Sequence, residues 1–598
     1  MTTTPRTTSR TTAPTATAAL LPPLTGIGVG GGSAAGPVAR MAAPPALPEP
    51  RAVAPDDAPA EAAAARAALA AVAEDLEGRA AAADGEAAGV LAAQAMMAAD
   101  PALADRAAAL TTEGHDAAHA LDAAFGAFRA SLVAAGGYFA ERTADLDDLR
   151  DRAVARVLGL PMPGLPDPGH PYVLVADDLA PADTAQLDPA TVLALVTEGG
   201  GPTSHTAILA KVLGLPAVVG CAGAGRLAEG TRLLVDGATG TVVPEPTAGQ
   251  VAEAAAREEE RRRAVARVSG PGRTADGHAV GLLVNLGALP ELPAAAAADS
   301  EGVGLFRTEF LYLDRTTAPT AEEQRAAYRN VFDAFAGRRV VVRTLDAGAD
   351  KPLPFATAPG EPNPALGVRG LRTARRHPAL LDTQLAAIAA AARDTAADVW
   401  VMAPMVSVPA EAAAFAEQAR AHGLRTAGAM VEVPAAALRA GQLAQGCDFL
   451  SIGTNDLAQY AFAADRMLGS LAGLLDPWQP ALLDLVRTAA AAGAAHGRPV
   501  GVCGEAAADP LLALVLVGLG VTSLSTAPAC LPEVRAALAA HTLDTCRRLA
   551  GLALSASDAE TARTAVARAA EAARATRTAE PEQTPPAAEA AARTAPAG

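Results

Sequence analysis

The sequence predicts a multidomain α/β protein: a helical bundle inserted next to a small α/β domain, followed by a C-terminal (β/α)8 barrel. Three observations carry this. From His278 to about Leu554, eight short apolar runs alternate with helical stretches, which is the count and alternation of a closed parallel barrel. Residues 58–158 are rich in Ala, Leu, Glu and Arg, with apolar residues at helical spacing. Residues 159–245 instead alternate β-branched runs with glycines.

Residues 1–23 are Thr, Ala, Arg and Pro without periodicity and read as a disordered tail; the apolar stretch Ala16–Leu21 ends at Pro22-Pro23 and is too short for a signal peptide. Residues 24–57 hold the first strand segment of the small α/β domain. The glycine-rich stretch Gly26–Gly36 makes a weak dinucleotide fingerprint, because no strand precedes it; a tight turn beside a short strand is the expectation. In the bundle, Leu69, Val72 and Leu76, then Leu121, Phe125, Phe128 and Leu132, mark helix faces. Breaks fall near Ala83–Glu86, Asp100-Pro101 and Gly136-Gly137. Met96 and Met97, adaptable apolar side chains near one break, are candidates for docking a partner.

The runs Val173–Val175, Val192–Val196, Ala217–Gly220, Leu233–Val235 and Thr241–Val243 are the strands of the small domain at 159–245. Residues 246–272, including the charge run Glu253–Arg263, form a helical linker. The barrel occupies 273–556. Its candidate strands are Val280–Asn285, Val303–Phe306, Val340–Val342, Val399–Met402, Ala429–Val431, Phe449–Ile452, Val500–Val502 and Thr522–Leu524. Residues 557–598 read as an Ala/Arg/Glu helix and then a Pro-rich disordered tail.

Composition excludes several function classes. Of 598 residues, 48 are Lys or Arg and 65 Asp or Glu, so the net charge of -17 argues against a nucleic-acid binder. No apolar run approaches the ~20 residues of a membrane helix, and 51% hydrophobic residues exclude global disorder. The five cysteines form no C-x-x-C pair, so a reducing, cytoplasmic setting is the default. Lys211 and Lys351 are the only lysines; elsewhere arginine stands in.

Two stretches carry chemistry. In Gly199–Lys211 three glycines, Pro202 and a Thr/Ser pair lead into a helix start, placing His205 in the first turn. Free backbone N–H groups and the helix dipole there favour an anion and keep an imidazole neutral, which is what a phosphohistidine requires. The second stretch is the set of strand ends of the barrel. Functional groups collect at the carboxyl ends of the strands in this fold. Here these read Arg307-Thr308-Glu309, Arg343-Thr344-Leu345-Asp346, Pro404-Met405, Glu432, Gly453-Thr454-Asn455-Asp456 and Cys503-Gly504-Glu505. Arg307, Arg343 and Arg466 can donate bidentately to phosphate or carboxylate, and Asn455 can donate to the same phosphate. Glu432 and Asp456 are hard oxygen ligands suited to Mg²⁺. Cys503, a thiol protonated at neutral pH, can donate a proton.

Together these segments resemble the enzyme I family of the bacterial sugar phosphotransferase system, the phosphoenolpyruvate–protein phosphotransferases. The resemblance runs from about Gly26 to Leu554 and is most specific at Gly200–Lys211, Gly304–Asp314, Arg343–Leu353, Asp448–Arg466 and Gly501–Glu505. It implies that His205 takes the phosphoryl group of phosphoenolpyruvate and passes it to a histidine phosphocarrier protein, with release of pyruvate. It implies that Arg307, Arg343, Asn455 and Arg466 bind phosphoenolpyruvate, that Glu432 and Asp456 hold Mg²⁺, and that Cys503 protonates the enolate. It further implies phosphocarrier docking on residues 58–158 and homodimerisation through the barrel. One histidine cannot reach both a barrel substrate and a carrier without a domain rotation, so the glycine-bearing junctions near Leu158–Gly169 and Thr247–Gly272 are the expected hinges. Two alternatives stand beside it. A synthase or dikinase would need a large ATP-binding domain, for which the ~150 residues before the histidine domain leave no room. A non-catalytic homologue that docks phosphocarriers would not need competent residues at every catalytic position, and here all are competent.

Overall fold

The stretch that composition marks as helical folds as helices Ala58–Ala82, Gly85–Ala98, Pro101–Thr112, Ala117–Ala135 and Thr143–Leu158. The computed structural model describes residues 22–41, 45–82, 85–135, 143–160, 164–166, 168–179, 187–201, 205–313, 315–347, 352–357, 361, 363–466 and 468–579. The two expected disordered tails lie largely outside these residues, as do Gly136-Gly137, Pro202–Ser204 and Lys351. The chain divides into two compact units, residues 1–129 with 144–260 and residues 130–143 with 261–598.

In the first unit, Ala65, Leu69, Val72 and Leu76 fall on one face of the opening helix and are buried, as their spacing of three and four requires. The expected break at Asp100-Pro101 is a helix start: Asp100 accepts the N–H of Ala102, and Pro101 occupies the first turn, where its missing N–H costs nothing. Met96 is 70% exposed.

The sheet of this unit has eight strands: β1 (Leu24–Thr25), β2 (Ile27–Val29), β3 (Ser33–Arg40), β4 (Tyr172–Ala176), β5 (Val192–Thr197), β6 (Ala217–Val219), β7 (Arg232–Asp236) and β8 (Thr241–Pro244). Their order is β1-β8-β7-β3-β4-β5-β6-β2. The pairs β3–β4, β4–β5 and β5–β6 are parallel. All five strands expected between 159 and 245 are present. The glycine-rich segment is a short strand and tight turn, as expected: β2 pairs with β6, and Gly30 and Gly32 adopt positive φ. Glycine is required at Gly28, where a Cβ would lie 2.4 Å from the Gly237 carbonyl oxygen. The eight-residue β3 lies at the centre of the sheet, built from small residues that carry little strand signal. Helix Ala248–Ala266 occupies most of the expected linker.

The second unit contains a closed parallel barrel of β9 (Gly281–Leu286), β10 (Gly302–Phe306), β11 (Arg339–Arg343), β12 (Asp398–Ala403), β13 (Thr426–Val431), β14 (Phe449–Ile452), β15 (Val500–Val502) and β16 (Ser523–Thr526). All eight expected strands are there. Leu305, Val341, Met402, Met430, Phe449 and Cys503 cluster separately from the larger core. That larger core includes Val340, Val342, Val401, Val431 and Ile452, together with helical side chains such as Leu385 and Val486. Gly428 leaves room for the Phe449 ring, which a Cβ would meet at 2.5 Å.

One boundary differs. The helix Ala559–Ala579 lies beyond the expected end of the barrel at 556, but Ala562, Val566 and Ala570 are buried in the barrel's core. The packed unit therefore extends at least to Ala570. With Ala559, its buried positions recur at spacings of three and four residues, so one stripe of an otherwise polar helix suffices to dock it. Val566→Asp would bury an unpaired carboxylate and should lower the melting temperature of the barrel unit by several degrees. Arg568→Ala, on the exposed side, should leave it unchanged. Differential scanning calorimetry of the two variants checks this.

Candidate active site

The carboxyl ends of β10, β11, β13, β14 and β15 carry Arg307, Arg343, Glu432, Asn455 with Asp456, and Cys503, as the sequence places them. Arg343 ends β11 and reaches two carboxylates, Glu309 at 3.1 Å and Asp346 at 3.2 Å. Burial works against its charge, but Glu309 and Asp346, with Glu432 and Asp456 farther off, hold its pKa above the ordinary arginine value. Burial would raise Asp346 too, yet Arg343 and Arg369 outweigh it and keep this carboxylate ionised, below its usual range.

Arg369 was not picked out from sequence, and it sits at the centre of the site. It is 5% exposed. Its Nη2 lies 3.0 Å from Asp346 Oδ2, and its Nη1 lies 3.2 Å from Asp456 Oδ1 and 3.4 Å from the Tyr460 hydroxyl. It follows no strand directly; it precedes the short turn Gly370–Arg372. Gly370 has φ +56°, and a Cβ there would lie 2.8 Å from Met405 Cβ and 3.0 Å from Asp346 Oδ1. The glycine after the arginine is the available sequence signal. Arg466 is more open and lies 3.9 Å from the other Asp456 oxygen. Arg307 is exposed, and its backbone N–H donates to the Leu286 carbonyl at 2.9 Å.

Glu432 is 1% exposed, and its Oε1 accepts the Met405 N–H. Burial, followed by the nearby carboxylates Asp346 and Asp456, pushes its pKa up to about 8, against the pull of Arg343. Gly453 leaves one side of Glu432 open: a Cβ there would lie 3.0 Å from Oε2. Asn455 Oδ1 accepts the Glu505 N–H at 3.1 Å and ties the loop after β14 to the loop after β15. Cys503 is 3% exposed. Burial raises its pKa, so the thiol keeps its proton at neutral pH; Ser451, Arg343 and Arg307 pull the other way.

A buried polar network holds the first two loops. Thr308 Oγ1 donates to the Arg343 carbonyl at 3.0 Å. Gln384 Nε2 donates to Thr308 Oγ1 at 3.0 Å, and Gln384 Oε1 accepts the Leu345 N–H at 2.9 Å. Glu309 Oε1 accepts the Asp346 N–H at 2.9 Å. These bonds fix the direction of Arg343 before any ligand arrives.

His205 belongs to the first unit, where it opens the helix His205–Leu213 as expected. The loop before it is anchored: Gly199 N–H donates to Asp177 at 2.7 Å, Thr197 Oγ1 donates to the Gly199 carbonyl at 2.8 Å, and Gly200 has φ +84°. Thr206 Oγ1 donates to Asp178 at 2.9 Å, fixing the first helical turn. The seven barrel residues are brought to one mouth, while the histidine is carried by a separate unit.

Three consecutive family patterns match the chain. They are the N-terminal domain of phosphoenolpyruvate-utilising enzymes over residues 25–142, their mobile domain over 168–240 and their phosphoenolpyruvate-binding domain over 261–543. A phosphoenolpyruvate-protein phosphotransferase of Streptomyces coelicolor is 57% identical over 535 residues, covering 89% of this chain and 96% of the relative. The chain belongs to the phosphoenolpyruvate–protein phosphotransferases. A Haloferax volcanii member is 42% identical over 76% of this chain and 82% of its own. A Bacillus subtilis member is 39% identical over 65% of this chain and 71% of its own. Among the described residues of this phosphotransferase, no helix is long and apolar enough to cross a membrane.

The charge balance has a pH signature. Between the ordinary value of 4.5 and about 8, folded Glu432 holds a proton that the unfolded chain has released. Its contribution to stability is therefore complete below pH 4.5 and is lost as pH rises toward 8. Chemical denaturation of chelator-treated protein across this window should show a steeper loss of stability for the native sequence than for Glu432→Gln.

Proposed function

We propose that this phosphotransferase transfers the phosphoryl group of phosphoenolpyruvate to His205 and from there to a histidine phosphocarrier, with the barrel mouth as the first station. The observation that carries this is the buried arrangement of Arg343 and Arg369 against Glu309, Asp346 and Asp456 at the strand ends, with Glu432 and Cys503 beside them. Arg307, Arg343, Arg466 and Asn455 bind the substrate's phosphate and carboxylate. Arg369 orients Asp346 and Asp456 and so sets the direction of the groups that touch substrate.

Glu432 and Asp456 would hold Mg²⁺. The site fits it: two hard oxygen donors lie close enough to repel, and Gly453 keeps space beside Glu432. Among the described residues no group of three or more His, Cys, Asp or Glu could hold a metal unaided. Two carboxylates completed by water and substrate oxygens match the habit of Mg²⁺. When bound, the ion would neutralise phosphoryl and carboxylate charge. The arginines do the same from fixed positions, and transfer to His205 leaves an enolate that the Cys503 thiol protonates to pyruvate.

His205 and the barrel groups lie in different units, so we infer that the first unit rotates to bring the histidine to the substrate and then to the carrier. The hinges are the segments near Leu158–Gly169 and Thr247–Gly272. The helical bundle, with exposed Met96, receives the carrier; the barrel is the dimer surface; and the enzyme works in the cytoplasm, where phosphoenolpyruvate and carriers are found.

Incubation with phosphoenolpyruvate and Mg²⁺ should place one acid-labile phosphoryl group on the peptide containing His205, with matching pyruvate. His205→Ala should abolish it, and Arg343→Ala should cost ~10²–10³ in rate with the fold intact. Labelling of another residue would overturn His205 as the acceptor, and no labelling in folded protein would favour the non-catalytic docking homologue.

A further inference from the structure

The interior of the barrel departs from the usual filling of bulky branched side chains. Behind Cys503 lies a cavity of about 20 Å³, lined by Ser451, Ser523, Ser525, Gly304 and Gly501 and reaching Arg339. That is enough for a water, which needs ~10–15 Å³ and polar partners. The polar partners are present. Ser451 Oγ donates to Cys503 Sγ at 3.3 Å. Ser525 Oγ donates to Asn285 Oδ1 at 2.6 Å, and Asn285 Nδ2 donates to the Cys503 carbonyl at 3.2 Å. Arg339 has a buried Nε without a hydrogen-bond partner in the protein. Glycine at 304 and 501 makes room for these hydroxyls: a Cβ would lie 2.5 Å from Ser525 Oγ and 2.7 Å from Ser523 Oγ. At the far end the cavity meets Trp400, Pro499 and Arg339, all half-exposed near the amino ends of the strands.

We propose that Ser451 and a water in this cavity return to Cys503 the proton it gives the substrate, from the side of the barrel opposite the active-site mouth. The proposal rests on Cys503 being the proton donor. In that step the S–H bond breaks, a C–H bond forms at the methylene carbon of the enolate, and a thiolate remains. Ser451 Oγ–H then passes its proton to Sγ and takes one from the cavity water. The water recovers its proton from solvent at the strands' amino ends. The net change is one solvent proton placed in the methyl group of pyruvate. A front-side route would need the mouth to empty first; this one works with product still bound. Ser451 is a positioning and relay residue, since it touches the thiol and not the substrate.

The test uses the full-length enzyme in D2O with phosphoenolpyruvate, Mg²⁺ and carbon-labelled pyruvate. Exchange of carbon label into phosphoenolpyruvate needs no solvent proton, because the thiolate can reclaim one from incoming pyruvate. Deuterium in the pyruvate methyl group reports exchange between Cys503 and solvent. In Ser451→Ala, the ratio of deuterium uptake to carbon exchange should fall about tenfold or more, and Ser451→Thr should restore it. Ser523→Val, which narrows the cavity without touching the thiol, should also lower the ratio, and it decides the matter if Ser451→Ala does not fold. An unchanged ratio in either folded variant overturns the relay. Carbon exchange at the normal rate in Cys503→Ala would instead overturn the reading of Cys503 as donor.

Discussion

Everything at the barrel mouth depends on one constraint: buried charges must be paired. Glu309, Asp346, Glu432 and Asp456 meet Arg343, Arg369 and Arg466 in a space where an isolated ion would cost several kcal/mol. Asp346 takes two guanidinium groups, which keep it ionised, and Asp456 takes Arg369 with Arg466 near its other oxygen. Among the described residues, Glu432 has no arginine at ion-pair distance, and it accepts a backbone N–H instead. It is the member of the set that carries a proton, with its pKa at about 8. The site thus places its unmet demand for positive charge at a single carboxyl group, which is where a divalent cation would be of most use.

The constraint also explains the surrounding packing. Charges can be held this way only if their loops do not move. Thr308 and Gln384 tie the loops after β10 and β11, and Asn455 ties the loops after β14 and β15. Small residues are needed where groups crowd. A Cβ at Gly504 would lie 2.0 Å from Thr454 Oγ1, so the residue after Cys503 is glycine because the neighbouring loop occupies its side-chain space. Met405 adopts φ +55°, which for a residue with a side chain is strained, and its N–H is the donor that Glu432 receives.

Much of this was legible in the sequence because a parallel barrel writes its function at regular places. Each strand end gives a few residues, and six such ends agreeing is hard to obtain by chance. Arg343, Glu432, Asn455, Asp456 and Cys503 were visible for that reason. Arg369 was not, because it comes from an irregular segment 26 residues after the end of β11, in a chain where arginine replaces nearly every lysine. Composition hid it: an arginine in such a protein carries little information until its neighbours are known. The final helix was obscured in the opposite way. Its Ala/Arg/Glu composition suits a solvated tail, and the buried stripe of Ala559, Ala562, Val566 and Ala570 shows that it docks.

The division of labour between the two units follows from the same physics. A phosphoryl group with its equivalents of negative charge needs preorganised cations to leave phosphoenolpyruvate. In the proposed mechanism the helix that His205 opens supplies something weaker, the field of its free backbone N–H groups, suited to holding a phosphoryl group and then releasing it. A single site could not do both well. Strong arginine pairing would trap the phosphohistidine, and a bare helix terminus would not polarise the substrate. On the proposed mechanism, a histidine on a separate unit lets the transferred group leave the charged mouth after it has bonded to nitrogen. In the proposed mechanism the enolate left behind faces Cys503, whose burial keeps the thiol protonated, and protonation to pyruvate removes the acceptor for back-transfer.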